Sequence, residues 1–376
     1  MDEPDSHWFR KLGSPKYVVA PMVDQSEHSF RVLCRRHGLT LAYTPMFSSR
    51  QFVESETYRS SIFGELEGLE ASEDRPLVVQ FAGNDPQVLL AAAKHVQHRC
   101  DAVDVNLGCP QKIAKRGHYG AWLSDDWQLL KQIVGTLHCH LDCPVTTKIR
   151  LLHSADDVNC SNGKPPVDRY SLSRSVDYAR MLVDAGSSLV AVHGRTREQR
   201  GELQGGADWA PIATIKAALS VPVLANGSMR TLSDIDACLA TSHADGVLLG
   251  EALLENPAVV EGRTVGGGAP TQEDLALEYL ELQALYPADL RGVKQHLFSI
   301  CYGGLQVHTE LRTRMHRART LEQMREIVVA LSEAPRISRP PFCNELNERR
   351  TRSPHPNPAP CLQLLARPCV YIYTSA

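Results

Sequence analysis

Three observations predict an α/β chain built as a (β/α)8 TIM barrel, followed by a smaller all-helical domain and a disordered C-terminal tail. Eight short runs of apolar and β-branched residues alternate with stretches of helical periodicity between Tyr17 and Leu249. Nearly every run ends in polar residues, and a closed barrel gathers all those carboxyl ends at one mouth. From Thr271 the helical patterns continue with no strand pattern between them. A doubly wound open sheet gives a similar alternation; the count of eight and the polar strand ends favour the barrel. The predicted units are residues 1–265 (barrel), 271–331 (helical domain) and 332–376 (tail), with the boundary in Gly266-Gly-Gly-Ala-Pro270.

Taken in order, Tyr17-Val-Val-Ala-Pro-Met-Val23 reads as a buried strand stopped by proline, and Ser26 to Arg36 as an amphipathic helix ending at Gly38. Leu39 to Tyr43 is the second strand, and Thr44 to Asp74 a helix with a surface loop. Pro76 to Phe81 is the third strand, after which Asn84-Asp-Pro86 caps a helix. Cys100 to Asn106 is the fourth, and Asp125 to Leu141 is helical. Cys143 to Arg150 is the fifth strand, followed by a polar surface insertion, Ser154 to Asp168. Helix Ser173 to Ala185 leads to the sixth strand, Ser188 to His193. Helix Trp209 to Leu219, strand Val221 to Ala225, helix Thr231 to Ala240 and strand Ala244 to Leu249 complete the eight. Helices over Thr271 to Tyr286, Leu290 to Gln306 and Leu321 to Leu331 make the second unit. The seven prolines between Pro335 and Pro360, set among Arg, Ser and Asn, cannot bury a core.

The 376 residues, 43% hydrophobic and 22% charged, have the composition of an ordinary globular protein. A net charge of −3 makes any nucleic-acid-binding surface a local one. Eleven cysteines without a signal-peptide pattern read as reduced thiols. The expected setting is cytoplasmic, with allowance for a nuclear fraction. No apolar run reaches the length of a membrane span. A monomer with no stable protein partner and no metal is expected.

The chemistry is expected in Asp104-Val-Asn-Leu-Gly-Cys-Pro-Gln-Lys-Ile-Ala-Lys-Arg-Gly-His-Tyr-Gly120, a strand end running into a loop with a thiol and several cations. No second Cys or His stands at ligand spacing beside Cys109, which disfavours a metal. A nucleophile activated by Lys112, Lys115 and Arg116, a general acid, and a small packed side chain all remain open for Cys109.

Asn106-Leu-Gly-Cys-Pro110 followed by Lys115-Arg-Gly-His-Tyr-Gly-Ala121 resembles the signature of the tRNA dihydrouridine synthases, especially the eukaryotic branch acting on positions 16 and 17 of the D-loop. The similarity runs from about Tyr17 to about Leu331 in several separated motifs. It implies FMN as cofactor, NADPH or NADH as transient reductant, and tRNA as partner. It also implies reduction of the 5,6 double bond of uridine, with hydride from reduced FMN and the proton from Cys109.

The strand ends make a coherent set for a flavin. Pro21, Met22 and Val23 offer apolar surface and backbone polar groups, and Gln80 offers a donor and an acceptor. Lys148, inside an apolar strand, needs an anion; a structural ion pair with Asp104 is the alternative. His193 closes the sixth strand, and Arg195 can hold a substrate phosphate or carbonyl oxygen. Asn226-Gly-Ser228 and Gly250-Glu251 lie in the last two loops, where glycine lets backbone N–H groups approach a phosphate. The resemblance carries FMN binding onto Pro21, Met22, Val23, Gln80, Lys148, His193, Asn226, Gly227, Ser228, Gly250 and Glu251. Ser228 departs from the Asp or Asn common in relatives, and Glu251 from the Arg common in bacterial ones.

Asn106 is expected to orient the base, and Lys115, Arg116 and His118 to sit on a mobile loop that closes on substrate. A basic helical face for RNA is expected from Arg291, Lys294, Arg312, Arg314, Arg317, Arg319 and Arg325, with His296, His308 and His316 interleaved. The rivals are an FMN-dependent reductase of a free pyrimidine or other small enone, and a non-catalytic RNA-binding barrel.

Overall fold

The computed structural model describes residues 7–66, 72–153, 169–261 and 270–334. Eight parallel strands close on themselves in sequence order. They are β1 (Tyr17–Val19), β2 (Leu41–Ser48), β3 (Leu77–Ala82), β4 (Ala102–Asn106), β5 (Val145–Leu151), β6 (Val190–Thr196), β7 (Val223–Asn226) and β8 (Gly246–Leu249). β1 closes the ring on β8, with Tyr17 opposite Val247 and Val19 opposite Leu249. The expected barrel is therefore present, and the expected helices surround it.

Strands of a closed parallel barrel are covered on both faces, which is why they read as continuous apolar runs in the sequence. Alternate residues nonetheless face opposite ways. Val103, Val105, Ile149 and Val192 join the large core under the outer helices. Val18, Leu41, Val78, Ala102, Ala191, Leu224 and Leu248 form a separate core inside the barrel, where Phe9 of the short helix His7–Lys11 also packs. The inner ladder turns polar two residues after Val78, Ala102, Ala191 and Leu224, at Gln80, Asp104, His193 and Asn226, so the mouth rests on an apolar floor.

Boundaries differ from expectation where local chemistry intervenes. β2 runs on to Ser48, with its register slipping between Tyr43 and Met46 around Pro45, which has no N–H to give the ladder. The segment expected as a mobile loop contains a short helix, Lys112–Gly117, ended by His118 in the left-handed region. The helix expected over Leu290 to Gln306 breaks at Cys301 into Leu290–Ile300 and Tyr302–Val307. A side chain at Gly303 would lie 3.2 Å from Gln272 Oε1, and one at Gly304 3.2 Å from Leu331. Close packing thus fixes two poor helix formers at the break. Thr309–Arg317 is a separate helix, and the last one, Leu321–Glu333, extends into the stretch expected as tail. The expected insertion 154–168, the boundary 266–270 apart from Pro270, and 335–376 lie outside the described residues.

Helix Gln272–Leu285 packs on barrel helix His28–Arg36. At their junction the buried Glu27 carboxylate accepts from Tyr279 Oη at 2.6 Å and meets His296 Nε2 at 3.0 Å. His296 stacks on Phe30 with centroids 4.3 Å apart. His296 is thus a core residue and not part of an exposed basic face, as the sequence had suggested. Among the described residues no helix is long and apolar enough to cross a membrane.

Candidate active site

The strand registers set the polar layer of the mouth. Gln80 lies opposite Asp104, Asp104 opposite Thr146, and Asn106 opposite Lys148. Arg150 lies opposite His193, which lies opposite Asn226. Residues paired across parallel strands share a face, so these side chains all project from the inner surface.

The loop carrying Cys109 is held from below. Asn106 Oδ1 accepts from the N–H groups of Cys109 (2.9 Å) and Gly108 (3.2 Å). Asn106 Nδ2 donates to Gln80 Oε1 at 2.8 Å, and Gln80 Nε2 donates to Asp104 Oδ2 at 2.8 Å. Thr146 Oγ1 donates to Asp104 Oδ1 at 2.6 Å. Burial pushes the Asp104 carboxyl up to about 6, against the hydrogen bonds from Thr146 and Gln80. Gln80 is fully buried with both amide ends engaged, and the Asn106 side chain is turned to the loop. Both therefore act as supports of the thiol loop.

Cys109 is a partly buried free thiol. Burial raises its pKa, and the cations Arg150, Lys148 and Arg200 only partly oppose the shift. The sulfur is accordingly held protonated, which favours an acid over a thiolate nucleophile. Arg150 braces the loop, its Nε donating to Gly108 O at 2.9 Å and its Nη1 to Thr196 O at 2.8 Å.

Lys148 makes no hydrogen bond or ion pair among the described residues. Desolvation, with Arg150 adding repulsion, lowers its pKa to about 8. The alternative of a structural pair with Asp104 is not adopted, because Thr146 and Gln80 occupy that carboxylate. Burial, then Arg150 and Lys148, drive the His193 pKa well below its ordinary value, so the ring is neutral. Its Nε2 accepts from Arg195 Nη1 at 3.0 Å. Arg195 also donates to Gly205 O (2.8 Å) and Ser228 Oγ (2.8 Å). The expected substrate grip is thus a buried tie between the loops after β6 and β7.

Asn226 Nδ2 donates to Leu248 O at 2.6 Å, joining the ends of β7 and β8. Gly227 has φ of 111°, and a Cβ there would lie 2.7 Å from the His193 ring, so only glycine fits. Ser228 Oγ also accepts from the Ala207 N–H at 2.8 Å, which explains a hydroxyl at this position. Gly250 faces Met22, whose Sδ would be 3.5 Å from an added Cβ. Met22 N–H and C=O both bond Ser26 Oγ, so those backbone groups are not free for a ring; Pro21 and Val23 are partly exposed beside them. Glu251 pairs with Arg230 at 3.0 Å, and Arg230 with Glu255 at 2.7 Å. The Glu251 charge is thereby balanced at the phosphate end by a cation that sequence reading missed.

Lys115, Arg116 and His118 are exposed at the rim. Lys115 Nζ lies 4.8 Å from the centre of the Trp122 ring, and the Arg197 and Arg200 guanidinium groups lie 4.4 and 5.7 Å from it. Arg200 also donates to the Pro110 carbonyl. Trp122, Arg197, Arg200 and Arg150 were not singled out from the sequence. For Arg150 a signal existed, since it stands two residues after Lys148 in the same strand.

A sequence model described as dihydrouridine synthase (Dus) matches residues 18–336. The chain is 43% identical over 325 residues to a Mus musculus protein named tRNA-dihydrouridine(16/17) synthase [NAD(P)(+)]-like, covering 86% of this chain and 63% of that relative. It is 41% identical over 332 residues to the Saccharomyces cerevisiae tRNA-dihydrouridine(16/17) synthase [NAD(P)(+)], covering 85% of this chain and 74% of that protein. The Schizosaccharomyces pombe protein of the same name is 41% identical over 318 residues, covering 82% and 74%. The chain thus spans somewhat less than two thirds of the mouse relative. With its closed barrel and the thiol loop at the mouth, the chain belongs to the dihydrouridine synthase family.

Proposed function

We propose that this chain reduces the 5,6 double bond of uridine in tRNA to dihydrouridine, at D-loop positions 16 and 17, using FMN and NADPH or NADH. The observation that carries the reading is that the Cys109 thiol loop, held on Asn106, and Lys148, opposite Asn106 on the next strand, share one barrel mouth. The relatives named for positions 16 and 17 support the choice of substrate.

The residues present fit FMN. The Lys148 ammonium, which makes no direct hydrogen bond or ion pair among the described residues, suits the anionic edge of a reduced flavin. The glycines at 227 and 250 leave the backbone N–H groups of the last two loops without a Cβ beside them, where a phosphate can approach. Lys148, His193, Asn226, Gly227, Ser228 and Gly250 would hold it, with Met22 as apolar surface. When bound, FMN supplies the hydride for carbon 6 of the uracil. Cys109 delivers its proton to carbon 5, and Lys148 and Arg150 hold the negative charge on the base while that proton arrives. Trp122 and its cations offer an aromatic face and phosphate partners to an extruded nucleotide. We propose that it works in the cytoplasm.

The test is dihydrouridine mapping of tRNA from cells lacking the protein. Loss confined to positions 16 and 17 is expected; an unchanged profile overturns the reading. Purified protein should be yellow and bleach with NADPH, which a non-catalytic barrel would not do.

A further inference from the structure

The supports beneath Cys109 have a direction. Asp104, fully buried, is ionised above its shifted pKa and then only accepts, so Gln80 must present its NH2 to it. The Gln80 carbonyl therefore faces Asn106 and must be met by the Asn106 NH2. That leaves Asn106 Oδ1 aimed at two backbone N–H groups, which only donate. Both amides can rotate by half a turn with little change of shape. Reversal of Asn106 would set donor against donor at the Cys109 loop, and reversal of Gln80 would set donor against donor at Asn106 and acceptor against acceptor at Asp104.

We infer that Asp104 is a positioning residue: as the acceptor-only end of the chain Asp104, Gln80, Asn106, it fixes the sense of both amides and so holds the Cys109 loop in its working conformation. The inference deepens the proposed function and rests on Cys109 being the proton donor. Thr146 completes the device by occupying the second carboxylate oxygen. Hydrogen bonds in such a buried series depend on one another, so the effect reaches the loop through two intervening side chains.

Asp104→Leu keeps roughly the volume and removes the acceptor, leaving the Thr146 hydroxyl and the Gln80 NH2 without it at the desolvation cost of two unpaired buried donors. Asp104→Asn combined with Gln80→Glu moves the acceptor-only group one step along. The carboxylate introduced at position 80 would then accept from the amide introduced at position 104 and from Asn106, and Asn106 would keep its sense. The readout independent of turnover is the rate of Cys109 alkylation by iodoacetamide, followed at the Cys109 peptide by mass spectrometry. In D104L alkylation should accelerate about fivefold or more, and dihydrouridine formation should fall about tenfold in kcat with KM for tRNA little changed. The double variant should return both to within about threefold of the parent. Parent-like alkylation in D104L overturns the inference, as does a double variant as impaired as D104L. If D104L does not fold, the double variant decides alone. If the parent makes no dihydrouridine, the proposed function fails while the alkylation series still reads the relay.

Discussion

A methyl group added at Gly120 would sit 2.8 Å from the carbonyl oxygen of Cys109 and 3.0 Å from its Cβ. Gly120 also has φ of 65°, and the Ala121 N–H donates to that same carbonyl at 3.1 Å. The chain thus returns to lock the Cys109 loop from above while Asn106 holds it from below. Gly120→Ala should destabilise the fold by about 1–3 kcal/mol through strain and contact together. Dihydrouridine formation should fall further than flavin binding, as read by turnover beside fluorescence titration with FMN. Equal losses in both would point to general unfolding instead.

Lys148 yields a prediction with an unusual sign. Its folded pKa, lowered to about 8, lies below the ordinary lysine value of 10.5, so the flavin-free fold is penalised while the group is charged. The penalty is present below about 8 and is relieved as pH rises toward 10.5, contributing stability over that window. Lys148→Met should raise the melting temperature of flavin-free protein at pH 7 and weaken FMN binding by about tenfold or more. Calorimetry and flavin titration on the same samples check both signs.

The buried group joining the barrel to the helices behaves in the opposite way. Burial alone would raise the Glu27 pKa, but His296, with hydrogen bonds from His296 and Tyr279, brings it below 4.5. A carboxyl depressed in the folded state contributes stability that is full above pH 4.5 and lost as pH falls through the folded value. Glu27→Gln should therefore lower stability by about 1–3 kcal/mol at pH 7, and the loss should shrink under acid. Chemical denaturation at pH 7 and pH 4 makes the comparison.

The barrel was legible because eight doubly covered strands leave a repeated apolar signature, and because polar strand ends carry meaning in that topology. Cys109, Lys148, His193 and Asn226 were singled out in this way, and the strand registers gather them at one mouth. The internal partners were not legible. Gln80 and Asp104 are 24 residues apart, and their contact depends on a register that no local pattern encodes. His296 shows the reverse case. Val293, His296, Leu297 and Ile300 share the buried face of one helix, so its spacing already argued for the core over the basic surface. The ties made by Arg195 and Arg230 were not legible because their acceptors lie on other segments, a loop for Arg195 and the helix Glu251–Glu255 for Arg230.

The helical unit separates cations exposed to solvent from one that holds structure. Arg314, His316 and Arg317 are exposed on helix Thr309–Arg317. Lys294 Nζ instead donates to the carbonyls of His316 (3.0 Å) and Ala318 (2.6 Å), satisfying the carboxyl end of that helix. A shared role in gripping tRNA would make all four equivalent, and their geometry makes them different. Arg314→Gln and Arg317→Gln should each weaken tRNA binding at low salt and reduce the slope of log affinity against log salt by about one, with little change in melting temperature. Lys294→Gln should lower the melting temperature and leave the salt slope closer to the parent's, because that ammonium is spent on the helix end. A salt slope reduced equally in all three variants would instead place Lys294 on the phosphates.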